Sequence, residues 1–257
     1  MTGTFEQPAV LGRSGLAAGR LGLAAGYGVP AASVEKAFER GVNYLYWGSL
    51  RRSGFGTALR HLARGHRERM ILVLQSYLPM PLGIEHSVRR ALRSLRFDYA
   101  DVLLLGMWNR PLPPRVLDLC RTLKERGIIR KVAVSTHRRP LLGTLAATPE
   151  IDIVHIRYNA VHTGAERDAF PLLRDHPLPP GIVSFTATSW GQLLKSRRIP
   201  AGEARPSACD CYRFALSHPA VNVCLSGPSN AAEMDTALQA LDRGPMDPAE
   251  LAWMRRV

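Results

Sequence analysis

Residues 37–48 read Ala37-Phe38-Glu39-Arg40-Gly41-Val42-Asn43-Tyr44-Leu45-Tyr46-Trp47-Gly48 and decide the fold. Gly41 is suited to end a helix, because glycine readily adopts the left-handed conformation of a helix C-terminus. The β-branched and aromatic run from Val42 to Tyr46 then predicts a short strand. A helix, a glycine and a strand in this order are typical of one unit of a parallel βα barrel, in which chemistry sits where the strands end.

The same alternation continues through the chain. A small hairpin beginning at Leu11 runs into a first strand that ends near Gly26, and the strand of residues 42–46 is the second. Further apolar runs predict the remaining strands: Met70–Leu74, Asp101–Leu105, Lys131–Val134, Ile153–Ile156, Ile182–Phe185 and Val221–Leu225. Eight units imply a closed barrel. We therefore expect an α/β fold, a (β/α)8 TIM barrel with an N-terminal β-hairpin, as a single domain over residues 1–257.

The composition is strongly basic, with a formal net charge of +13, and only four of the 34 Lys and Arg residues are lysines. The arginines are spread through predicted helices and loops, which argues against a dedicated nucleic-acid surface. Two interpretations of the charge stay open, namely solvated helix faces and an anionic ligand or substrate.

The sequence offers no sign of export or of metal binding. Residues 1–8 have neither the basic cap nor the apolar core of a signal peptide, and nowhere do 18 apolar residues run together. The four cysteines form no C-x-x-C pair, so we expect thiols and no metal site. We expect a cytoplasmic protein whose partner is a small molecule, with neither nucleic acid nor membrane as a partner.

The order of several short motifs resembles the aldo-keto reductase superfamily over nearly the whole chain. Each motif is weak alone, and their order and spacing carry the resemblance. They are Leu11-Gly12-Arg13-Ser14-Gly15-Leu16, Gly41-Val42-Asn43-Tyr44, Leu95-Arg96-Phe97-Asp98-Tyr99-Ala100-Asp101, Gly127-Ile128-Ile129-Arg130, Tyr158-Asn159 and Leu225-Ser226-Gly227.

This resemblance implies carbonyl reduction by NADPH, with an aspartate, a tyrosine, a lysine and a histidine as the catalytic tetrad. The family motifs place the aspartate at Tyr46, the tyrosine at Arg51, the lysine at Ser76 and the histidine at Gly106. All four residue types are changed. Because a buried lysine and aspartate stabilise each other only as a pair, their joint loss is physically coherent.

The cofactor positions that the resemblance implies are only partly kept. The serine and asparagine that hold the nicotinamide amide correspond to Ser135 and Thr136, and the family's glutamine to His155. The stacking aromatic falls on Ala187, with Trp190 three residues further on. The helix start that holds the adenosine phosphate carries Ser226 and Asn230 but no Arg or Lys. We therefore favour no cofactor and keep NADPH as the alternative.

The candidate site residues follow from strand alternation, which points Tyr44 with Tyr46, and His155 with Arg157, to the same side. His155 or His137 would act as general base, Tyr46 as acid or hydrogen-bond donor, and Arg157 would hold a carboxylate or enolate oxygen. The catalytic candidates are Tyr46, Ser76, His137, His155 and Arg157. The candidates for contacting substrate are Tyr44, Arg51, Trp108 and Tyr158.

Three functions fit these residues. We favour cofactor-independent proton-transfer chemistry, such as dehydration, isomerisation or cyclisation, on a polar or anionic small molecule. The alternatives are a divergent NADPH-dependent carbonyl oxidoreductase and a non-catalytic ligand-binding barrel.

Overall fold

The computed structural model describes residues 4–48, 52–195, 199 and 202–256. A two-stranded antiparallel hairpin comes first, formed by β1 (Ala9–Val10) and β2 (Ala17–Ala18). The further strands within these ranges are β3 (Leu21–Ala24), β4 (Tyr44–Trp47), β5 (Ile71–Ser76), β6 (Ala100–Leu105), β7 (Ile129–Thr136), β8 (Ile153–Arg157), β9 (Gly181–Phe185) and β10 (Val223–Ser226). The α-helices are α1 (Ala31–Glu39), α2 (Ser53–His66), α3 (Pro81–Leu95), α4 (Pro114–Glu125), α5 (Leu141–Ala146), α6 (Ala165–Asp168), α7 (Ala208–Ser217), α8 (Ala231–Arg243) and α9 (Pro248–Met254).

Strands β3 to β10 form one closed barrel in which every neighbouring pair is parallel and β10 closes onto β3. The predicted (β/α)8 TIM barrel with an N-terminal hairpin is confirmed. The strand order follows the chain order, as expected when each strand is joined to the next by a helix on the outside.

The barrel interior is a small core of its own. Alternate residues of each strand point inward, and together they form one buried cluster: Tyr44, Ile71, Val73, Val102, Leu104, Ala133, Ile153, Val183 and Val223. The other face of each strand packs against the helices in a second, larger core. Inner and outer residues therefore alternate along every strand, as the two-residue period of a strand requires.

The hairpin closes the amino-terminal end of the barrel. Leu11, Leu16 and Ala18 pack against the interior core. Gly12 has φ of +49°, and a Cβ atom there would lie 2.2 Å from the backbone nitrogen of Gly181 at the start of β9. The hairpin can approach this closely only with a glycine at the contact, so the open end of the barrel is the opposite one.

A buried arginine connects the last helices to one another. Arg213 on α7 donates two hydrogen bonds to the Glu250 carboxylate on α9, at 2.6 and 2.7 Å, and a third to the carbonyl oxygen of Gly244. None of the helices in the described ranges has the length and apolar composition needed to cross a membrane.

We expect Arg213→Ala to lower the free energy of unfolding by about 3 kcal/mol, because it removes the two-fold hydrogen bond to the Glu250 carboxylate, which keeps, among the described residues, only the Arg243 cation at 3.3 Å, and leaves the Gly244 carbonyl without its donor. Urea denaturation would measure the change. Arg121→Ala is the matched control, since Arg121 pairs with Asp118 on an exposed helix face and such pairs contribute less than about 1 kcal/mol. Equal losses in the two variants would contradict this account of the α7–α9 contact.

Candidate functional site

The open end of the barrel is surrounded by half-buried side chains. They are the last inward-pointing residues of their strands, and we call this ring the barrel mouth: Tyr46, Gln75, Ser135, Arg157 and Phe185. The ring contains one positive charge and no carboxylate. The strands place these groups at the carboxyl-terminal face, where barrels of this kind bind their ligands.

One half of the mouth is built from neutral phenols and an amide. The Tyr46 hydroxyl donates a hydrogen bond to Gln75 Oε1. Burial, followed by the neighbouring phenols of Tyr77 and Tyr27, raises the pKa of Tyr46 well above its usual range. Tyr46 therefore stays protonated at neutral pH and is a poor proton donor, which weakens its predicted role as the acid.

Gly106 allows Gln75 and Tyr77 to fill this half of the mouth. A Cβ atom on Gly106 would lie 2.5 Å from Gln75 Nε2 and 2.7 Å from the Tyr77 ring. The position at which the resemblance implies a histidine therefore has no room for a side chain without movement of both neighbours.

Ser76 lies on the other face of β5 from Gln75, because successive residues of a strand point in opposite directions. Its hydroxyl accepts a hydrogen bond from the backbone nitrogen of Leu78 at 3.4 Å, and the side chain is buried. The prediction of Ser76 as a residue of the mouth is corrected: the strand presents Gln75 there instead.

The other half of the mouth is cationic and aromatic. Arg157 is half-buried and takes part in no hydrogen bond or ion pair with the described residues. His137 lies beside it, with its ring edge-on to Phe185 at 5.6 Å between centroids. Burial, and then the Arg157 charge, lower the pKa of His137. The imidazole is therefore neutral at pH 7 and able to accept a proton.

The loop that carries His137 is held by an asparagine from the neighbouring strand end. Asn109 Oδ1 accepts hydrogen bonds from the His137 backbone nitrogen at 2.9 Å and from Thr136 Oγ1 at 3.2 Å. His162, whose pKa is lowered by burial and then by Arg157, is held through Nδ1 at 3.1 Å from Asn159 Oδ1. The His137 ring, in contrast, is exposed and makes no such bond within the described chain.

His155 and Tyr44 lie deeper than predicted. Both are fully enclosed, one residue pair below the mouth, and Tyr44 Oη is 2.8 Å from His155 Nε2. Burial lowers the pKa of His155 to about 3 and raises that of Tyr44 beyond its usual range. The predictions of a catalytic His155 and a substrate-contacting Tyr44 are corrected, because neither side chain reaches solvent.

Two of the other predicted contact residues lie away from the mouth, and one lies outside the described residues. Tyr158 points out of the barrel, stacks on Phe214 and donates a 2.6 Å hydrogen bond to Glu166, so it belongs to the outer core. Trp108 is buried in the outer core and lines a small cavity at the rim. Arg51 falls outside the residues that the structure describes.

The predicted cofactor residues have separate structural roles. Ser226 donates to the carbonyl oxygen of Gly22 at 2.8 Å, and Asn230 caps α8 by accepting from the Glu233 backbone nitrogen. Thr136 is buried, Trp190 is 60% exposed, and Ser135 Oγ accepts from the backbone nitrogen of Met107. Among these five, only Ser135 belongs to the mouth.

A pocket of about 320 Å³ lies at the starts of α7 and α8, where the resemblance implies the adenosine phosphate. Its lining is Leu194, Pro206, Ser207, Ala208, Ala232, Glu233 and Thr236. The one charged group in this lining is the Glu233 carboxylate, which repels a phosphate. The described residues therefore do not fit the phosphate end of NADPH. The described part of the chain also holds no group of three potential metal ligands.

Several residues of the site escaped the sequence interpretation, namely Gln75, Phe185, Tyr27 and Tyr77. Alternation along β5 and β9, had it been counted from the apolar inward positions Val73 and Val183, would have indicated Gln75 and Phe185. Tyr27 and Tyr77 lie on loops, for which strand alternation gives no signal.

Comparisons with known proteins agree on one architecture. The aldo/keto reductase family model matches residues 32–206. An aldo-keto reductase from Bacillus halodurans in its holo form superposes with a TM-score of 0.80 at 21% identity, over 97% of this chain and 95% of that chain. An aldo-keto reductase from Klebsiella pneumoniae in complex with NADPH gives 0.78 at 19% identity, over 97% and 94%.

A third structure, a putative aldo-keto reductase from Pseudomonas aeruginosa, gives a TM-score of 0.68 at 22% identity, over 93% of this chain and 98% of that chain. At these identities the structural likeness shows the fold alone. No curated protein matches the sequence.

The buried His155 predicts that acid destabilises the protein. Its pKa is lowered from 6.5 to about 3 on folding, so below pH 6.5 the unfolded chain binds a proton that the folded chain excludes. The stabilisation is complete above pH 6.5 and is lost as the pH falls. Between pH 6.5 and 5 the loss is about 2 kcal/mol, at about 1.4 kcal/mol per pH unit.

Urea denaturation at the two pH values would measure this difference, and His155→Gln should remove most of it. His86→Gln, on the exposed face of α3, is the control and should leave the difference unchanged. A pH dependence that is the same in the His155 variant and the wild type would contradict the assignment.

Proposed function

The chain belongs to the aldo/keto reductase family, and from this premise we propose that its barrel mouth binds a small anionic molecule at Arg157 and transfers a proton on it without a nicotinamide cofactor. The observation that carries the proposal is a guanidinium with no carboxylate partner in the described chain, beside a neutral imidazole.

Arg157 supplies the binding site. Its charge persists across the physiological pH range, and its planar group binds carboxylates through two parallel hydrogen bonds. Several arginines at the other end of the barrel already have partners; Arg67, for example, binds Asp101 at 2.8 Å. Arg157 is half-buried, so an anion there would be partly shielded from water and would be bound more strongly than on an open surface.

His137 supplies the proton acceptor. Its lowered pKa keeps the ring neutral near pH 7, which is the form a general base needs. A 2-oxo acid bound to Arg157 through its carboxylate would place the carbon beyond its carbonyl, which carries the acidic hydrogens, close to this ring. Removal of a proton from that carbon leaves an enolate, whose oxygen the guanidinium would stabilise before His137 returns the proton.

The tyrosine half of the mouth favours this chemistry over reduction. A carbonyl reductase needs a proton donor that is ready to ionise, whereas burial raises the pKa of Tyr46 and its proton is engaged by Gln75. Tyr46 and Gln75 would instead form a neutral wall that selects the shape of the bound molecule.

Nicotinamide-dependent carbonyl reduction is the second candidate. The pocket of about 320 Å³ at the starts of α7 and α8 is large enough for a nucleoside, and Ser135 lies at the mouth. The carboxylate of Glu233 would accept hydrogen bonds from ribose hydroxyls more readily than it would tolerate a phosphate.

We expect small carboxylates, tested one by one by calorimetry, to bind the wild type, and Arg157→Ala to weaken binding at least about tenfold, the range expected for a lost charged hydrogen bond. Arg138→Ala, an exposed arginine on the loop after β7, is the matched control. The binding part of the proposal fails if no carboxylate binds, or if the two variants lose affinity equally.

Exchange of the carbon-bound hydrogens of a bound 2-oxo acid in D₂O, followed by NMR, tests the proton transfer. We expect His137→Gln to slow this exchange about a hundredfold while leaving affinity unchanged. In the wild type the rate should fall only below the ordinary histidine pKa, since that of His137 is lowered. Exchange that is unaffected in the variant would exclude His137 as the base.

Fluorescence titration with NADH and NADPH separates the two candidate functions. The first candidate predicts no saturable quenching with NADPH and carboxylate binding that is independent of either nucleotide. Saturable NADPH binding together with carbonyl-dependent oxidation of the nucleotide would establish the second candidate and overturn the first. NADH binding alone, without turnover, would identify a nucleotide site that the proton transfer does not use.

A further inference from the structure

The carboxyl-terminal face of the barrel carries an exposed apolar surface, which we call the rim patch. It consists of Tyr77, Leu78, Met80, Leu82 and Met107, all on loops or first helical turns that follow β5 and β6. Leu82 is 84% exposed, Met107 58% and Tyr77 57%. Large apolar side chains this exposed, and grouped together, mark an interaction surface.

The rim patch is continuous. Tyr77 and Met107 line one cavity of about 130 Å³ together with Pro79 and Arg110. The Leu78 side chain covers Gly83 in the first turn of α3, where a Cβ atom would lie 3.1 Å from it. Trp190, 60% exposed on the turn after β9, adds another apolar side chain to the same face.

Positive charge surrounds the rim patch without neutralisation. Arg110 lies in the cavity lining, and Arg115 Nη2 is 3.7 Å from Met80 Sδ. Neither arginine has a carboxylate partner in the described chain. Seven of the eight segments between a barrel strand and the next helix contain no Asp or Glu, namely residues 25–30, 48–52, 77–80, 106–113, 137–140, 158–164 and 227–230. The eighth, residues 186–207, contains Glu203 as its one acidic residue.

The opposite end of the barrel differs. There several basic side chains meet carboxylates or carbonyls: Arg67 binds Asp101, Lys124 binds Asp152 at 2.8 Å, and Arg13 donates to the carbonyl oxygens of Ile151 and Ala146. Other arginines at that end, such as Arg64 and Arg93, also have no carboxylate partner in the described chain. What distinguishes the carboxyl-terminal face is that its arginines directly adjoin the rim patch.

We propose that the carboxyl-terminal face docks on an anionic lipid bilayer, with the rim patch entering the interface and the flanking arginines contacting the headgroups. Aliphatic side chains beside arginines match the two layers of such a surface, hydrocarbon below and negative charge above. A nucleic acid would match the charge but not Leu82 and Met80, since it is bound by cations and aromatic stacking. This surface contact needs no membrane-spanning helix. It departs from the expectation, drawn from the sequence, that no membrane is a partner. It does not rest on the function proposed above.

Sedimentation with lipid vesicles tests the proposal on the full chain. We expect binding to vesicles of phosphatidylcholine with about 30% phosphatidylglycerol, weak binding to pure phosphatidylcholine, and a loss at high salt, because headgroup attraction is screened. Leu82→Ser with Met107→Ser, and separately Arg110→Gln with Arg115→Gln, should each weaken binding about tenfold.

Matched controls separate docking from adsorption by net charge. Leu178→Ser removes an equally apolar, 60% exposed side chain just before β9, at the other end of the barrel. Arg64→Gln with Arg93→Gln removes the same charge from the exposed later turns of α2 and α3. Both controls should bind as the wild type does, and thermal melts would check that every variant is folded.

Other occupants of the surface would give different results. No binding to anionic vesicles, or equal loss in the controls, overturns the proposal. If the wild type fails to bind vesicles but forms a dimer that Leu82→Ser with Met107→Ser dissociates, the occupant is a second copy of the chain, and the proposal is likewise overturned.

Discussion

The two-residue period of strands closed into a barrel determines which side chains of this protein can reach a ligand. Each strand sends alternate side chains inward, and the height of the residue decides whether it meets water. Tyr44 and Tyr46 lie on one strand, two residues apart, yet the first is sealed against His155 and the second lies at the mouth. His155 and Arg157 are separated in the same way on β8. Two residues further along each strand, the inward-pointing side chain therefore lies at the candidate binding site instead of in the buried core.

The two sides of the mouth differ in charge because different side chains line them. On one side, phenols and an amide are packed so closely that burial keeps Tyr46 protonated. On the other side, Arg157 has no anionic partner in the described chain, and burial, followed by the Arg157 charge, lowers the pKa of His137. A buried or half-buried charge is costly unless something compensates it. An anionic ligand would provide that compensation, which is why the cationic half, rather than the tyrosine half, carries the proposed chemistry.

The sequence was sufficient to predict the barrel but not how deeply each inward-pointing side chain is buried in it. Glycine stops and apolar runs predicted the strands and their closure because those signals are local and repeat eight times. Tyr46 and Arg157 lie at the mouth, where their strand ends led us to expect them, and His137 lies on the loop beside it. Ser76 was expected at the mouth where Gln75 in fact lies, because an error of one residue in the strand register reverses the direction of every side chain. His155 was placed too high and Tyr158 on the wrong face, since burial depends on packing between distant strands and helices. The exposed rim patch gave no sequence signal, because its residues resemble those of an ordinary apolar segment.

The tyrosine half of the mouth depends on neutral side chains, because Tyr46, Gln75 and Tyr77 carry no charge that could compensate a charged neighbour. A carboxylate in place of Tyr46 would face the Gln75 amide with no cation beside it, and an uncompensated buried charge costs several kcal/mol. A cation in place of Gln75 would likewise be buried beside a phenol with no carboxylate to compensate it. A side chain on Gly106 would meet both Gln75 and Tyr77. A charged or larger side chain at any one of these positions is therefore unfavourable in this packing, whereas the Tyr46–Gln75 hydrogen bond pairs two polar groups without burying a charge.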